Sequence, residues 1–223
     1  MKPNWGLSLA LLCAAGAQGG IVRVTSAEDI SYGLRIDWTS LGVDSDVLTR
    51  PVSTPISAAI VATVSLPSET DLVRADEGDS WLGDFSLGTP LVWTNWDPGP
   101  LRFEFDHPIQ AFGLHIQPNV AGDPPLPSFT ATMEAWNAVV SLGSISASGF
   151  SSWAEDGSAL FLGFVSSGAD VTRVDVSIID EFSSPIDFAV DGPVGAETVP
   201  EPGVGWLAPL PAGAFLLLKR RRC

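Results

Sequence analysis

Along most of the chain's interior, apolar and polar residues alternate with a period of two, the pattern of a strand with one buried face. Leu34, Ile36 and Trp38 alternate with Arg35 and Asp37, and Ile60, Ala62, Val64 and Leu66 with Val61, Thr63 and Ser65. Leu101, Phe103 and Phe105 are separated by Arg102 and Glu104, and Phe112, Leu114 and Ile116 by Gly113 and His115. Further rows run through Phe129 to Ala135, Leu160 to Phe164, Val174 to Ile178 and Ile186 to Val190. That makes eight candidate strands, with Pro108 dividing the third from the fourth and no stretch of helical period. Joints such as Asp97-Pro98-Gly99-Pro100 and Gly122-Asp123-Pro124-Pro125 punctuate them. The pattern predicts an all-β protein: one antiparallel β-sandwich of jelly-roll or lectin-like type, each sheet with one solvated face.

The two ends read differently. Lys2 precedes the apolar run Gly6 to Ala15, and Ala15-Gly16-Ala17 fits the small-x-small rule. Residues 1–17 are therefore expected to form a helical signal peptide cleaved after Ala17. Residues 18–198 form the body. At the other end, Val199-Pro200-Glu201-Pro202 is followed by an apolar stretch, Gly203 to Leu218, and then by Lys219, Arg220, Arg221 and Arg222 before Cys223. The stretch is slightly short for a bilayer-spanning helix, and Pro209 and Pro211 weaken it further. A basic cluster behind it stays on the cytoplasmic side and holds the body outside. Such a segment serves as a temporary stop more readily than as a permanent transmembrane helix.

The order Val-Pro-Glu-Pro, short apolar span and Arg-rich cluster over residues 199–223 resembles the PEP-CTERM sorting signal of exported proteins in Gram-negative, exopolysaccharide-producing bacteria. The resemblance implies Val199, Pro200, Glu201 and Pro202 as the recognition motif and Lys219 to Arg222 as the stop-transfer cluster. It implies an exosortase-type enzyme as processing partner, transient attachment to the inner membrane, and a destination in the envelope or extracellular matrix. The segment from Ala159 to Gly192 is also similar to a recurrent pattern in such proteins, through Phe161-Leu162-Gly163-Phe164-Val165, Val171 to Val176 and Asp187-Phe188-Ala189-Val190-Asp191.

Charge narrows the function classes. The body has six arginines and no lysine against 25 acidic residues, a formal charge of −19. A surface so acidic repels nucleic acid, whose binding depends on Lys and Arg. Cys13 and Cys223 both fall outside the body, which therefore has neither a disulfide nor a thiol nucleophile. Burial alone must hold it, as its length allows.

Candidate chemistry is sparse. His107 and His115 stand on polar positions with no HExxH, GxSxG or phosphate-loop motif around them, and read as surface histidines. Glu104 and Asp106 share one strand face roughly 7 Å apart, a spacing compatible with a glycosidase pair but also with any solvated strand. The run Asp76-Glu77-Gly78-Asp79, and Asp187 with Asp191, are candidate calcium ligands, although neither has EF-hand spacing. Otherwise no cofactor is implied. Of the body's tryptophans, Trp93 and Trp96 fall in the polar loop Val92 to Asp97 and are candidates for stacking on sugars; core closure is the alternative. The expectation is a non-enzymatic exported protein associated with exopolysaccharide, with a carbohydrate-binding module, with or without calcium, as the alternative and a glycan hydrolase behind it.

Overall fold

The computed structural model describes residues 20–30, 33–122, 126–168 and 170–197. The signal segment with Ala15 and Ala17, the motif Val199 to Pro202, the apolar stretch and the basic cluster lie outside the described residues. Among the described residues no helix is long and apolar enough to cross a membrane.

The described chain is all-β and antiparallel. Its strands are β1 (Ile21–Val24), β2 (Leu34–Arg35), β3 (Val47–Leu48), β4 (Val52–Pro55), β5 (Val61–Ser65), β6 (Leu72–Asp76) and β7 (Pro90–Trp93). These are followed by β8 (Leu101–Pro118), β9 (Ser128–Asn137), β10 (Val140–Phe150), β11 (Leu160–Ser166), β12 (Val171–Asp180), β13 (Phe188–Val190) and β14 (Val194–Glu197). All fourteen belong to one hydrogen-bonded sheet, whose longest path runs β10-β9-β12-β8-β13-β7-β6-β3.

The eighteen-residue β8 organises the sheet. Pro108 does not divide it as the sequence suggests. The chain stays extended through Asp106-His107-Pro108, where all three residues are exposed and β8 exchanges one set of neighbours for another. Residues 101–105 pair with β5 and β12, and residues 109–118 with β11, β13 and β14, apart from one last β12 pair between Ile109 and Val171. The β12 register slips at this point, between Val171 and Arg173, so the proline falls where the ladder is already irregular.

The predicted alternation is recovered in the burial of β5, β9, β12 and the first half of β8, but not in β11 or β13, which are buried on both faces. Phe103 and Phe105 are buried while Glu104 and Asp106 are exposed, and every second residue from Phe129 to Ala135 is buried. Both halves of β8 feed one core: Phe103 and Phe112 have ring centroids 5.0 Å apart, and Phe105 and Phe112 5.7 Å. The stretch from Leu34 to Trp38 is an exception. Only Leu34–Arg35 is strand, because Asp37 caps a 3-10 turn over Trp38–Leu41 by accepting the Thr39 N–H at 2.9 Å. Trp38 is still fully buried.

A smaller apolar cluster lies on the outer face of the β6–β7–β13 region, where Ala75, Leu91 and Ala189 meet Trp81, Phe85 and Ala159, with Trp93 packed against them. Of the functional candidates, Trp93, Asp187, Asp191 and His115 lie on this face.

Candidate functional site

The register of β8 against β13 sets out the site. Phe188 lies opposite Pro118, Ala189 opposite Gln117 and Val190 opposite Ile116. Continuing the register places Asp187 opposite Asn119 and Asp191 opposite His115. With period-two alternation, these four side chains share the outer face with Ala189 and Gln117. Across the next pair, Ala189 lies opposite Trp93. Hydrogen bonds follow this arrangement. The Trp93 indole N–H donates to Asp187 Oδ2 at 2.8 Å, and the Asn119 amide donates to the same oxygen at 3.0 Å. At the far end Asp191 accepts from the His115 backbone N–H and faces His115 Nδ1, both at 2.7 Å.

Trp93 and Trp96 are brought together, their ring centroids 5.3 Å apart in an edge-to-face arrangement, and Trp81 lies 6.1 Å behind Trp93. Trp93 is half-buried, whereas Trp96 is 72% exposed. The loop that carries them is firmly tied. Thr94 bonds the Phe188 carbonyl through its N–H at 2.9 Å and the Asp97 carbonyl through its hydroxyl at 2.6 Å. Buried Asp97 accepts from the Gly99 N–H and the Thr70 hydroxyl, both at 2.8 Å, and from the Ser68 hydroxyl. Asn95 and Trp96 adopt left-handed backbone with φ of 54° and 67°, an unfavourable conformation for tryptophan that those anchors impose. The other tryptophans differ: Trp38 and Trp81 are core, Trp136 lies under the Arg173 guanidinium at 4.2 Å, and Trp153 is exposed.

The carboxylate candidates do not converge. Asp76 pairs with Arg74 at 2.7 Å, Asp79 is exposed on the following turn, and Asp187 and Asp191 are each held by the groups already named. Among the described residues no three His, Cys, Asp or Glu side chains are grouped so as to hold a metal ion. Glu104 lies opposite Thr63 on one neighbour and Arg173 on the other. Asp106 accepts the Val61 N–H at 2.8 Å, which holds its carboxyl below the usual range, and sits 3.2 Å from His107. Both are exposed residues of an open strand.

Three groups escaped the sequence reading. The first is the His115–Asp191 pair. Burial works against a charged ring here, but the hydrogen bond and charge of Asp191, aided by Glu28, raise the His115 pKa above its ordinary value. The ring borders a shallow cavity of about 110 Å³ shared with Ser86 and Thr89. The pair fastens β8 to the end of β13. The second is Glu77, 1% exposed, which accepts the Gly83 N–H at 2.6 Å through Oε1 while Oε2 has no partner. Burial and the nearby Glu155 and Asp84 charges outweigh the Gly83 and Phe85 N–H groups and push its pKa up to about 7. The third is Asp84, 3% exposed, which accepts from the Ser152 N–H at 2.8 Å, Gln117 Nε2 at 3.1 Å, the Ala154 N–H at 3.4 Å and the Ser152 hydroxyl. The His115 and Asp84 groups depend on contacts between distant segments, which periodicity does not reveal.

Compared with models of known protein families and with curated proteins, the chain gives no match.

Proposed function

We propose that this chain is an exported envelope or extracellular-matrix protein associated with exopolysaccharide, sorted by residues 199–223 and non-enzymatic in its body. The observation that carries the sorting is the order of elements after residue 198: Val199 to Pro202, the apolar stretch Gly203 to Leu218, and the cluster Lys219 to Arg222. An exosortase-type enzyme would act on it after transient insertion in the inner membrane. The body, 18–198, is read as an antiparallel β-sandwich, with β8 passing from one sheet to the other at Asp106-His107-Pro108. Supporting that reading, Phe103 and Phe105 from one half of β8 meet Phe112 from the other inside a single core. Mass spectrometry of protein recovered from cells and medium is expected to give a mature chain lacking residues 1–17 and the stretch from Gly203 onward. An intact Gly203 to Cys223 segment in the mature product would sink the processing claim.

A second reading, that the body binds carbohydrate at Trp93 and Trp96, is favoured by a specific feature. A tryptophan ring is held largely in solvent, in strained backbone, against a second ring whose N–H is committed to Asp187. Sugar rings offer an apolar C–H face to aromatic planes and hydroxyls to polar rims, and such a corner provides both. Trp96→Ala is expected to abolish glycan retention while leaving the fold intact. Unchanged retention would remove the site.

A further inference from the structure

The outer face holds more exposed apolar surface than the Trp93–Trp96 corner uses. Trp153 is 55% exposed and Leu82 58% exposed. Trp153 sits beyond β8 from Trp93. Trp93 lies opposite Ala189 and Ala189 opposite Gln117, so two strand spacings, about 10 Å, separate the Trp93 and Gln117 backbones. Gln117 Nε2 then donates to the carbonyl of Ser152, the residue before Trp153, at 3.0 Å. Leu82 is linked to both ends through its chain neighbours. Trp81, before it, meets Trp93 at a tilt with ring centroids 6.1 Å apart, and two residues after it the Asp84 N–H donates to Gln117 Oε1 at 2.6 Å. Asp187 and Asn119 stand beside the Trp93 end.

Trp153 is also held in place. Its neighbours are fixed by Asp84, which takes the Ser152 and Ala154 N–H groups, and the Glu155 N–H donates to the Gly83 carbonyl at 2.8 Å. An indole kept in water on a loop pinned from both sides loses little freedom when a ligand covers it. Acidic groups flank both ends: Asp187 and Asp71 near Trp93 and Trp96, Glu155 and Asp156 beside Trp153, and Arg50 is paired to Asp71 at 3.4 Å. A polyanion would be repelled along this length.

We infer that Trp96, Leu82 and Trp153 form one extended face that takes several consecutive units of a neutral polysaccharide chain, with an aromatic subsite at each end. This rests on the reading of Trp93 and Trp96 as a carbohydrate site and extends it to a second subsite and a ligand class. The test is affinity gel electrophoresis of the full-length protein through dextran, galactomannan and mixed-linkage β-glucan, with alginate and carboxymethylcellulose as anionic probes. Retardation is expected in at least one neutral polymer and in neither anionic one. Trp96→Ala should abolish it. Trp153→Ala should weaken affinity for that polymer about fivefold to tenfold, the scale of one aromatic contact. Phe182→Ala, an exposed aromatic on the Asp180–Ser184 turn, serves as control and should change nothing. All three side chains are exposed, and unchanged thermal unfolding will confirm that the variants fold. If Trp153→Ala migrates like wild type while Trp96→Ala is lost, the extended face is overturned and the two-tryptophan site stands. If no neutral polymer retards the protein, both fall. Equal retardation in alginate would overturn the ligand class.

Discussion

His115 Nδ1 and Asp191 Oδ2 lie 2.7 Å apart, joining residues 76 positions apart in the chain at the open end of the β8–β13 ladder. Because the pairing raises the His115 pKa, the folded state holds this proton more tightly than the unfolded chain does. The contribution to stability is therefore fully present below about pH 6.5 and is lost as pH rises through the folded value. NMR titration should place the His115 midpoint above 6.5 in the wild type and lower it in Asp191→Asn. A wild-type midpoint at or below 6.5 would mean that burial outweighs the carboxylate.

Glu77 adds to the same pH slope from a different cause. Its carboxyl is raised to about 7 in the fold, so the unfolded chain deprotonates first as pH rises. This contribution is complete below about pH 4.5 and is lost between there and about 7, at most about 3.5 kcal/mol at roughly 1.4 kcal/mol per pH unit. Glu77→Gln keeps the shape and removes the titration. Urea unfolding at pH 5 and pH 8 should show the wild type losing stability over that range and the variant losing distinctly less. Equal losses in both would show that Glu77 is already ionised in the fold.

These two groups mark the limit of what the sequence disclosed. The outward placement of Asp187 and Asp191 was legible, because Phe188 and Val190 between them set the parity of β13. Their partners, Asn119 and His115, were not, since they come from a strand about 70 residues earlier and only the register joins them. Strand β6 was missed because Arg74 occupies a core position, 3% exposed, with its guanidinium turned to the Trp38 carbonyl and Asp76. Strand β10 was missed because serine and glycine dominate it and only Ile145 and Ala147 are buried. Pro108 misled in the opposite sense: a proline breaks a strand only where its missing N–H is needed, and at the partner exchange of β8 it is not.

The cross-strand pair Gly113 and Gly163 makes a separate prediction about packing. The Phe161 ring lies over both glycines, so that a Cβ on Gly163 would come within 2.8 Å of Phe161 Cε1 and one on Gly113 within 2.6 Å of Cζ. Phe161 also meets His115 edge-on at 5.2 Å. Gly163→Ala should cost about 1–3 kcal/mol as an overpacking change. Adding Phe161→Leu should recover part of that cost, a coupling that urea unfolding of the four-member cycle measures. Strictly additive losses would place the strain elsewhere.

Asp84 is the joint on which the Trp153 end of the outer face depends. Its buried carboxylate gathers the Ser152 N–H and hydroxyl, the Ala154 N–H and Gln117 Nε2, all donors. Asp84→Asn is nearly isosteric, yet it turns one acceptor oxygen into an NH₂ facing donors. At least one buried N–H is then left unpaired, at about 1–3 kcal/mol each. The loss should be local as well as global, because the 151–158 loop has few other ties: the Ser151 N–H to the Pro127 carbonyl, the Glu155 N–H to the Gly83 carbonyl, and Gln117 Nε2 to Ser151 Oγ and the Ser152 carbonyl. Hydrogen exchange should therefore rise across residues 151–158 well before it rises in β9 or β12, and affinity for a retained neutral polysaccharide should fall although both terminal tryptophans are intact. Unchanged protection of that loop in Asp84→Asn would show that the remaining backbone bonds suffice to hold Trp153 in place.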